Sequence, residues 1–517
     1  MKELNQEEQF NRLKKCFFYT FMLGFVAHGY RFLNLTLSHD SLNDFYAVMQ
    51  WQKSSMGRIF YSIYISITRG RLVLPWLIGI LALCWTSLAV YLIVRMFSVE
   101  KSSMIFLVSG ICITNPTVYA LAATYIHDLD ADLFALLMAV VSVFLWKIAI
   151  EMESIKNRWI YLALAALILS VTLGTYQSYI SVTIALIMFI CIKNLLEQKQ
   201  YITVLYQGLS GIAMIFISGV IYFFELKIFT GLTGVSTLES QKYNGLSNMS
   251  QLFEGNLLFK IADVYRSFIN AFKSMILSSA PECLTLLVQG ILVLGIIAMS
   301  ILAMKKMEWK RIALFVILGV LLPFGMNITC LLSNGVAHVL TQYAIWFVYL
   351  FAIVLVLWLA EQERISEKIK KVFQMIILVC ICMTIWENIQ TANAIYVKKD
   401  LEYQTTFSYM TRVAERMEIQ ENYIPGETPV VLVGEGNIGN SKYGFERYHI
   451  ITGVEGNSPL TYYDTFEDYF EYILGISVNL IHDGTIREKQ EVKSMPAFPK
   501  EGSVIMVDET LVVKLSD

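Results

Sequence analysis

The chain has 517 residues, of which 56% are hydrophobic and only 16% charged, with a mean hydropathy of +0.56. So much apolar surface with so few charges excludes an ordinary soluble domain and predicts an integral membrane protein. The formal net charge of -2 hides an asymmetry: from Thr391 to the end there are 11 Lys and Arg against 20 Asp and Glu, and before it 29 against 22, so an acidic tail follows a basic membrane part.

In chain order, the polar opening "MKELNQEEQFNRLKK" leads into an apolar run with no small-residue cleavage site after a short core, so that run is expected to stay as a membrane span. Apolar windows long enough to cross about 30 Å of hydrocarbon fall near 16–36, 73–95, 103–122, 131–150, 159–176, 179–195, 203–224, 283–304, 312–332, 341–360 and 372–390. That predicts about 11 spans, with "TNPTVY" interrupting the end of the third. Basic residues stay on the cytoplasmic side of span ends. They mark every second connection: Arg12, Lys14 and Lys15, then Arg95 and Lys101, then Lys147 and Arg158, then Lys193 and Lys199, then Lys305 to Arg311, then Arg364 to Lys371. The expected orientation is therefore an N-terminus in the cytoplasm and a C-terminus outside.

Two outer loops, 37–72 and 225–282, are long and keep basic residues on the disfavoured side. In the first, "FYAVMQWQ" and "RIFYSIYISI" are aromatic-rich and amphipathic, as expected of helices lying in the membrane interface. From about Lys398 the pattern becomes that of a soluble α/β segment. "DLEYQTTFSYMTRVAERMEI" has helical spacing, "PVVLVG" reads as a strand, "TFEDYFEYILG" as a short helix and "SVIMVDETLVVKLS" as a hairpin around Asp508-Glu509. The division expected is a multi-span domain over 1–390 and an extracytoplasmic α/β domain over 391–517. "GEGNIGN" (434–440) matches a dinucleotide fingerprint and follows a strand, yet no helical pattern comes after it to receive phosphates, so it is expected to be a loop. Of the eight cysteines only Cys283 lies at the edge of an apolar run and the rest lie within such runs, which argues against a disulfide framework.

Titratable groups in the outer connections concentrate in two places. In "SHDSLND", Asp40 and Asp44 are one helical turn apart with His39 beside them; in "TYIHDLDAD", Asp128 and Asp132 have the same relation, with His127 and Asp130 between or beside them. Carboxylates at a membrane boundary are costly to desolvate and are retained for use. Asp132 has a simpler alternative role, as N-cap of the following span. His39 and His127 have the chemistry of metal ligands, but a His beside an Asp in a loop is more often a solvated side chain, and whether a divalent metal ion assists is left open. Arg58, Arg69 and Arg71 place guanidinium groups near headgroup depth, where a lipid phosphate is the obvious anion. For Arg69 and Arg71, which flank the second span, contact with ordinary phospholipid is an equal alternative. A carboxylate base, a phosphate-reading arginine and access from lipid suit the transfer of a sugar from a polyprenyl phosphate to an acceptor hydroxyl deprotonated by Asp40.

At these residues the chain resembles a known family. "LTLSHDSL", "GRIF", "LPWLIGILALCWTSLAVYLI", "AATYIHDLDADLFALLMAVVSVFLW" and "LGTYQSYISV", in that order, resemble the bacterial type II glucosyltransferase-domain membrane proteins, relatives of the serotype-converting O-antigen glucosyltransferases in the GT-C superfamily. The resemblance covers about Leu35 to Tyr343 and is strongest in the first 180 residues. It implies a GT-C-like polytopic helical fold in a bacterial plasma membrane, and an inverting transferase. The implied donor is an undecaprenyl-phosphate-linked hexose, commonly glucose, and the implied acceptor a cell-surface polysaccharide or glycolipid. Nucleic acid is not among the partners expected. By the same resemblance Asp40 is the base with Asp44 in reserve, and His127, Asp128, Asp130, Tyr176 and Gln177 line the cavity. In "SNGVAHVLTQY", where a further cationic donor contact is looked for, His338 is present. Two rivals remain: a lipid-linked oligosaccharide flippase, for which repeated halves and charges inside the spans would be expected, and a polysaccharide polymerase using a diphosphate-linked donor.

Overall fold

The computed structural model describes residues 6–38, 41–42, 50–235, 256–333, 335, 337–436, 438, 444–456, 458, 460 and 463–516. The protein is mostly helical. Its long helices are α1 (Gln6–Leu33), α2 (Ile59–Arg69), α3 (Pro75–Met96), α4 (Ser102–Thr114), α5 (Pro116–Thr124), α6 (Ile126–Glu151), α7 (Ile155–Thr175), α8 (Ile180–Leu196), α9 (Tyr201–Thr233), α10 (Leu257–Ser278), α11 (Glu282–Met304), α12 (Trp309–Met326), α13 (Val348–Ala360) and α14 (Glu367–Glu418). Among the described residues ten helices are long and apolar enough to cross a membrane, with α4 and α5 counted together. The expected first span, inside α1, is not among the ten: His28 and Arg31 make it more polar than the rest.

Local chemistry explains where several helices break. At "TNPTVY" the chain ends α4 and starts α5 at once, because Pro116 sits at the first helical position and the Asn115 side chain caps the new helix by accepting from the Val118 N–H at 3.2 Å. The bundle is built by α6 against α3 and α7, and by α1 against α3, α4 and α14. The His28 ring of α1 is satisfied internally. His28 Nε2 donates to the Ile113 carbonyl at 2.7 Å, and its Nδ1 accepts from the Tyr396 hydroxyl at 2.6 Å.

Two expectations for the connections change. "RIFYSIYISI" does form a helix, α2, but Tyr61, Tyr64 and Ile65 pack on Ala131 of α6, leaving Ile63 and Ile67 on the outside. Its apolar side is divided between bundle and surroundings because Tyr61 and Tyr64 also carry hydroxyls that find acceptors there. Within 225–282, α9 runs on to Thr233, and α10 buries Val264, Ala271 and Met275.

α14 is one helix of 52 residues, about 78 Å long at 1.5 Å per residue, and position 391 lies inside it. Beyond it a four-stranded sheet has the order β2-β1-β4-β3, with β1 (Pro429–Val433) parallel to β2 (Asn479–Leu480) and β4 (Thr510–Lys514), and β3 (Val504–Val507) antiparallel to β4 across Asp508-Glu509. Both faces are covered, since Val430, Leu432, Leu511 and Val513 enter one apolar cluster while Val507 and Val512 enter another. The "GEGNIGN" stretch follows β1. Gly434 has φ +81, and a Cβ there would lie 2.6 Å from the Ser516 carbonyl oxygen. The next described element is the single 3-10 turn Glu446–Ile450, not a helix with a phosphate-binding N-terminus.

Candidate active site

The sequence "YIHDLDAD" starts α6 at Ile126, six residues before Asp132, so Asp132 does not cap the helix as the N-cap alternative would have it. Three carboxylates thus lie within the first two turns: Asp128, Asp130 and Asp132 are 4%, 0% and 1% exposed. Buried charges need partners, and the connection 50–72 supplies them. Lys53 Nζ lies 2.6 Å from Asp128 Oδ2, and Arg58 Nη1 lies 3.6 Å from the same oxygen. Arg69 Nε lies 3.4 Å from Asp130 Oδ2, while its two terminal nitrogens donate to the carbonyls of Leu72 and His127. Three cations therefore pair with two of the three acids.

Asp130 is further held by Tyr64, whose hydroxyl donates to Oδ2 at 3.2 Å and accepts from the Trp85 indole at 2.7 Å. Burial, then the neighbouring Asp130 charge, pushes the Tyr64 phenol up, so it stays a donor. Asp132 differs in its charges: among the described residues it has no ion pair, while its Oδ1, like the Oδ1 of Asp128 and Asp130, has no hydrogen-bond partner there.

Arg58 is positioned through its backbone. Gly57, at φ +82, turns the chain into α2, and the Gly57 carbonyl accepts from the Tyr222 hydroxyl at 2.9 Å. Gln177 donates to the Met56 carbonyl at 3.0 Å and to the Tyr222 oxygen at 3.2 Å. The guanidinium then stacks 4.3 Å from the Tyr176 ring centroid. Burial, then the Asp132 charge, pushes the Tyr176 phenol up to about 12, which keeps it neutral over the physiological range.

His127 reaches the first connection. Its Nδ1 lies 3.2 Å from Ser41 Oγ, and its Nε2 lies 3.7 Å from Asp128 Oδ1. Ser41 and Ser38 both donate to the Thr124 carbonyl. His39, Asp40 and Asp44 lie outside the described residues, although Ser38 and Ser41 border the first two. Of the other residues singled out in the sequence, Arg58, Arg69, His127, Asp128, Asp130, Tyr176 and Gln177 come together here. Arg71 does not join them: it is exposed and donates to Ser66 Oγ at 3.0 Å. His338 is exposed at the start of the Val339–Thr341 turn, and no hydrogen bond or ion pair among the described residues links it to the cluster.

Lys53, Tyr61, Tyr64 and Asp132 belong to the cluster without having been singled out as site residues. Lys53 carried a sequence signal, a basic residue kept in an outer loop, whereas the tyrosines looked like interface aromatics. Among the described residues no group of three or more His, Cys, Asp or Glu side chains is arranged to hold a metal ion. What the cluster offers is a set of fixed guanidinium and ammonium groups beside buried carboxylates, suited to an anionic group with hydroxyls nearby.

A family model described as glucosyl transferase GtrII matches residues 29–357. The match includes the whole cluster and ends within α13. No curated protein matches the chain.

Proposed function

The chain belongs to the glucosyl transferase GtrII family, and from that premise we propose that it moves glucose from a polyprenyl-phosphate carrier to a cell-surface polysaccharide or glycolipid at the outer face of a bacterial plasma membrane. Asp40 takes the proton of an acceptor hydroxyl, with Asp44 in reserve. The acceptor oxygen attacks the anomeric carbon from the side opposite the phosphate. The bond from that carbon to the phosphate oxygen breaks, its electron pair leaves on the lipid phosphate, and configuration inverts. Phosphate leaves readily once its charge is neutralised, so one base serves where hydrolysis of a glycoside needs two carboxylates.

The observation that supports this reading is the convergence of Lys53, Arg58 and Arg69 on the buried acids of α6, next to the residues bordering Asp40. In the proposal Arg58 and Lys53 receive the growing phosphate charge, Tyr176 fixes the plane of the guanidinium, and Gln177 acts through the backbone of residues 56 and 57. His127, Asp128 and Asp130 line the cavity, with Asp128 and Asp130 holding the cations in place. The GT-C-like arrangement of the spans belongs to the same proposal.

The test is reconstitution of purified protein with undecaprenyl-phosphate-[14C]glucose and candidate acceptor glycans. Wild type transfers label and Asp40→Asn, folded normally, does not. Equal transfer by both removes Asp40 from the mechanism, and carrier movement without transfer points to the flippase.

A further inference from the structure

Leu37, Ser38, Ser41 and Leu42 are held from two sides. Ser38 and Ser41 face the bundle, where their hydroxyls meet the Thr124 carbonyl and Ser41 meets His127. Leu37 and Leu42, 6% and 1% exposed, enter a different body: the apolar cluster of the C-terminal part, with Tyr409, Met410, Phe466 and Phe470. That cluster is separate from the large one of the helix bundle. The Leu42 N–H also donates to the Ser38 carbonyl at 2.9 Å, tying the two flanks of positions 39 and 40 together.

A second contact ties the C-terminal chain to the bundle, whose apolar cluster also takes in Tyr448, Ile451 and Val454. Thr124 Oγ1 donates to the Gly453 carbonyl at 3.0 Å, and Lys398 Nζ on α14 donates to the carbonyls of Val454 and Gly456 at 2.8 and 2.7 Å. Thr124 is therefore shared: its carbonyl holds the 38–41 hydroxyls and its hydroxyl holds the C-terminal chain, three residues before His127.

From this geometry we infer that the C-terminal domain positions the first connection for turnover, and that Leu37 and Leu42 are its positioning residues. The inference rests on the reading of Asp40 as base for its effect on rate. An apolar core grips a loop by shape and area without supplying any chemistry, so loss of the grip misplaces the reacting group while leaving the cation cluster that binds the donor intact.

The experiment compares Leu42→Ala, Leu42→Met and Val504→Ala in the full-length reconstituted protein. Val504 lies in the same core on β3 and serves as a stability control. Leu42→Ala lowers kcat by about 10- to 100-fold while KM for the lipid-linked glucose stays within about twofold, the pattern of a reacting group moved out of line. Leu42→Met, which conserves volume, restores most of the rate. Val504→Ala lowers Tm at least as far and keeps kcat within about twofold. Hydrogen exchange followed by mass spectrometry gives a readout independent of activity: Leu42→Ala speeds exchange in 37–42 and Val504→Ala does not. Should Leu42→Ala fail to fold, Leu42→Val and Leu37→Ala give the same comparison. Equal loss of kcat in Leu42→Ala and Val504→Ala, or unchanged exchange in 37–42, overturns the inference. Absence of glucosyl transfer in wild type, with exchange in 37–42 still speeded by Leu42→Ala, overturns the reading of function and leaves the positioning in place.

Discussion

Arg58 joins both functions of the cluster: it helps neutralise buried Asp128 and presents a flat cation held against Tyr176. A lysine keeps the charge but loses the plane and the paired donors. Arg58→Lys is therefore expected to lower kcat/KM by about 10- to 100-fold, or ~1.4–2.7 kcal/mol of transition-state stabilisation, with little change in Tm. Asp130 belongs to a fully buried set with Arg69 and Tyr64, so Asp130→Ala strands a buried cation and is expected to cost about 3–5 kcal/mol. Asp132, which has no ion pair among the described residues, loses none of these on conversion to Asn; thermal unfolding in detergent should place Asp132→Asn well above Asp130→Ala. Equal Tm values would show that the Arg69 pair is not a structural requirement. At this scale Asp128 and Asp130 are legible in the sequence because charge at the end of an apolar run demands a reason, and Arg58 because a basic residue kept in an outer loop does. Asp132 is not, since a carboxylate at the start of a hydropathy window also fits an N-cap. Lys53 reads as one more loop cation until α6 is seen to extend outward and meet it.

Helix boundaries follow pairing more than hydropathy. The apolar window begins at 131, yet α6 begins at Ile126, because the connection 50–72 brings cations to Asp128 and a cation and a hydroxyl to Asp130. The "TNPTVY" interruption is legible and becomes a capped restart rather than the end of a span. The "RIFYSIYISI" helix is legible as amphipathic, but its partner is not: only the positions of Ala131, Phe134 and Trp85 show that the tyrosine face meets the bundle. The contact between the 446–456 segment and the end of α5 has no sequence signal beyond a glycine. Gly453 has φ +79, and a Cβ there would lie 2.6 Å from Thr124 Oγ1. Gly453→Ala is accordingly expected to loosen this contact by about 1–3 kcal/mol. Limited proteolysis should then cut the chain faster near 444–456, while unchanged cleavage would show that the contact tolerates displacement.

The molecule as a whole combines a helix bundle with a C-terminal sheet, joined by α14. The spans are legible because hydrocarbon thickness sets their length, and the hairpin at Asp508-Glu509 because two β-branched runs flank a turn. The continuity of α14 is not legible: its apolar and polar halves differ in composition, and only the unbroken backbone hydrogen bonding joins them. If the proposed topology holds, with N-terminus inside and C-terminus outside, a membrane-impermeant maleimide labels Lys500→Cys and spares Lys306→Cys in intact cells carrying Cys283→Ser; the reverse pattern inverts that topology. Beneath all of this is the claim that a carboxylate in the first connection deprotonates the acceptor while the cations of 50–72 receive the departing phosphate. The most direct measurement is the single-turnover rate of glucose transfer from the polyprenyl-phosphate carrier by Asp40→Asn protein with a wild-type Tm. A loss of about 10³-fold or more, near the size expected for removing a general base, is the predicted result; a rate within tenfold of wild type contradicts the account.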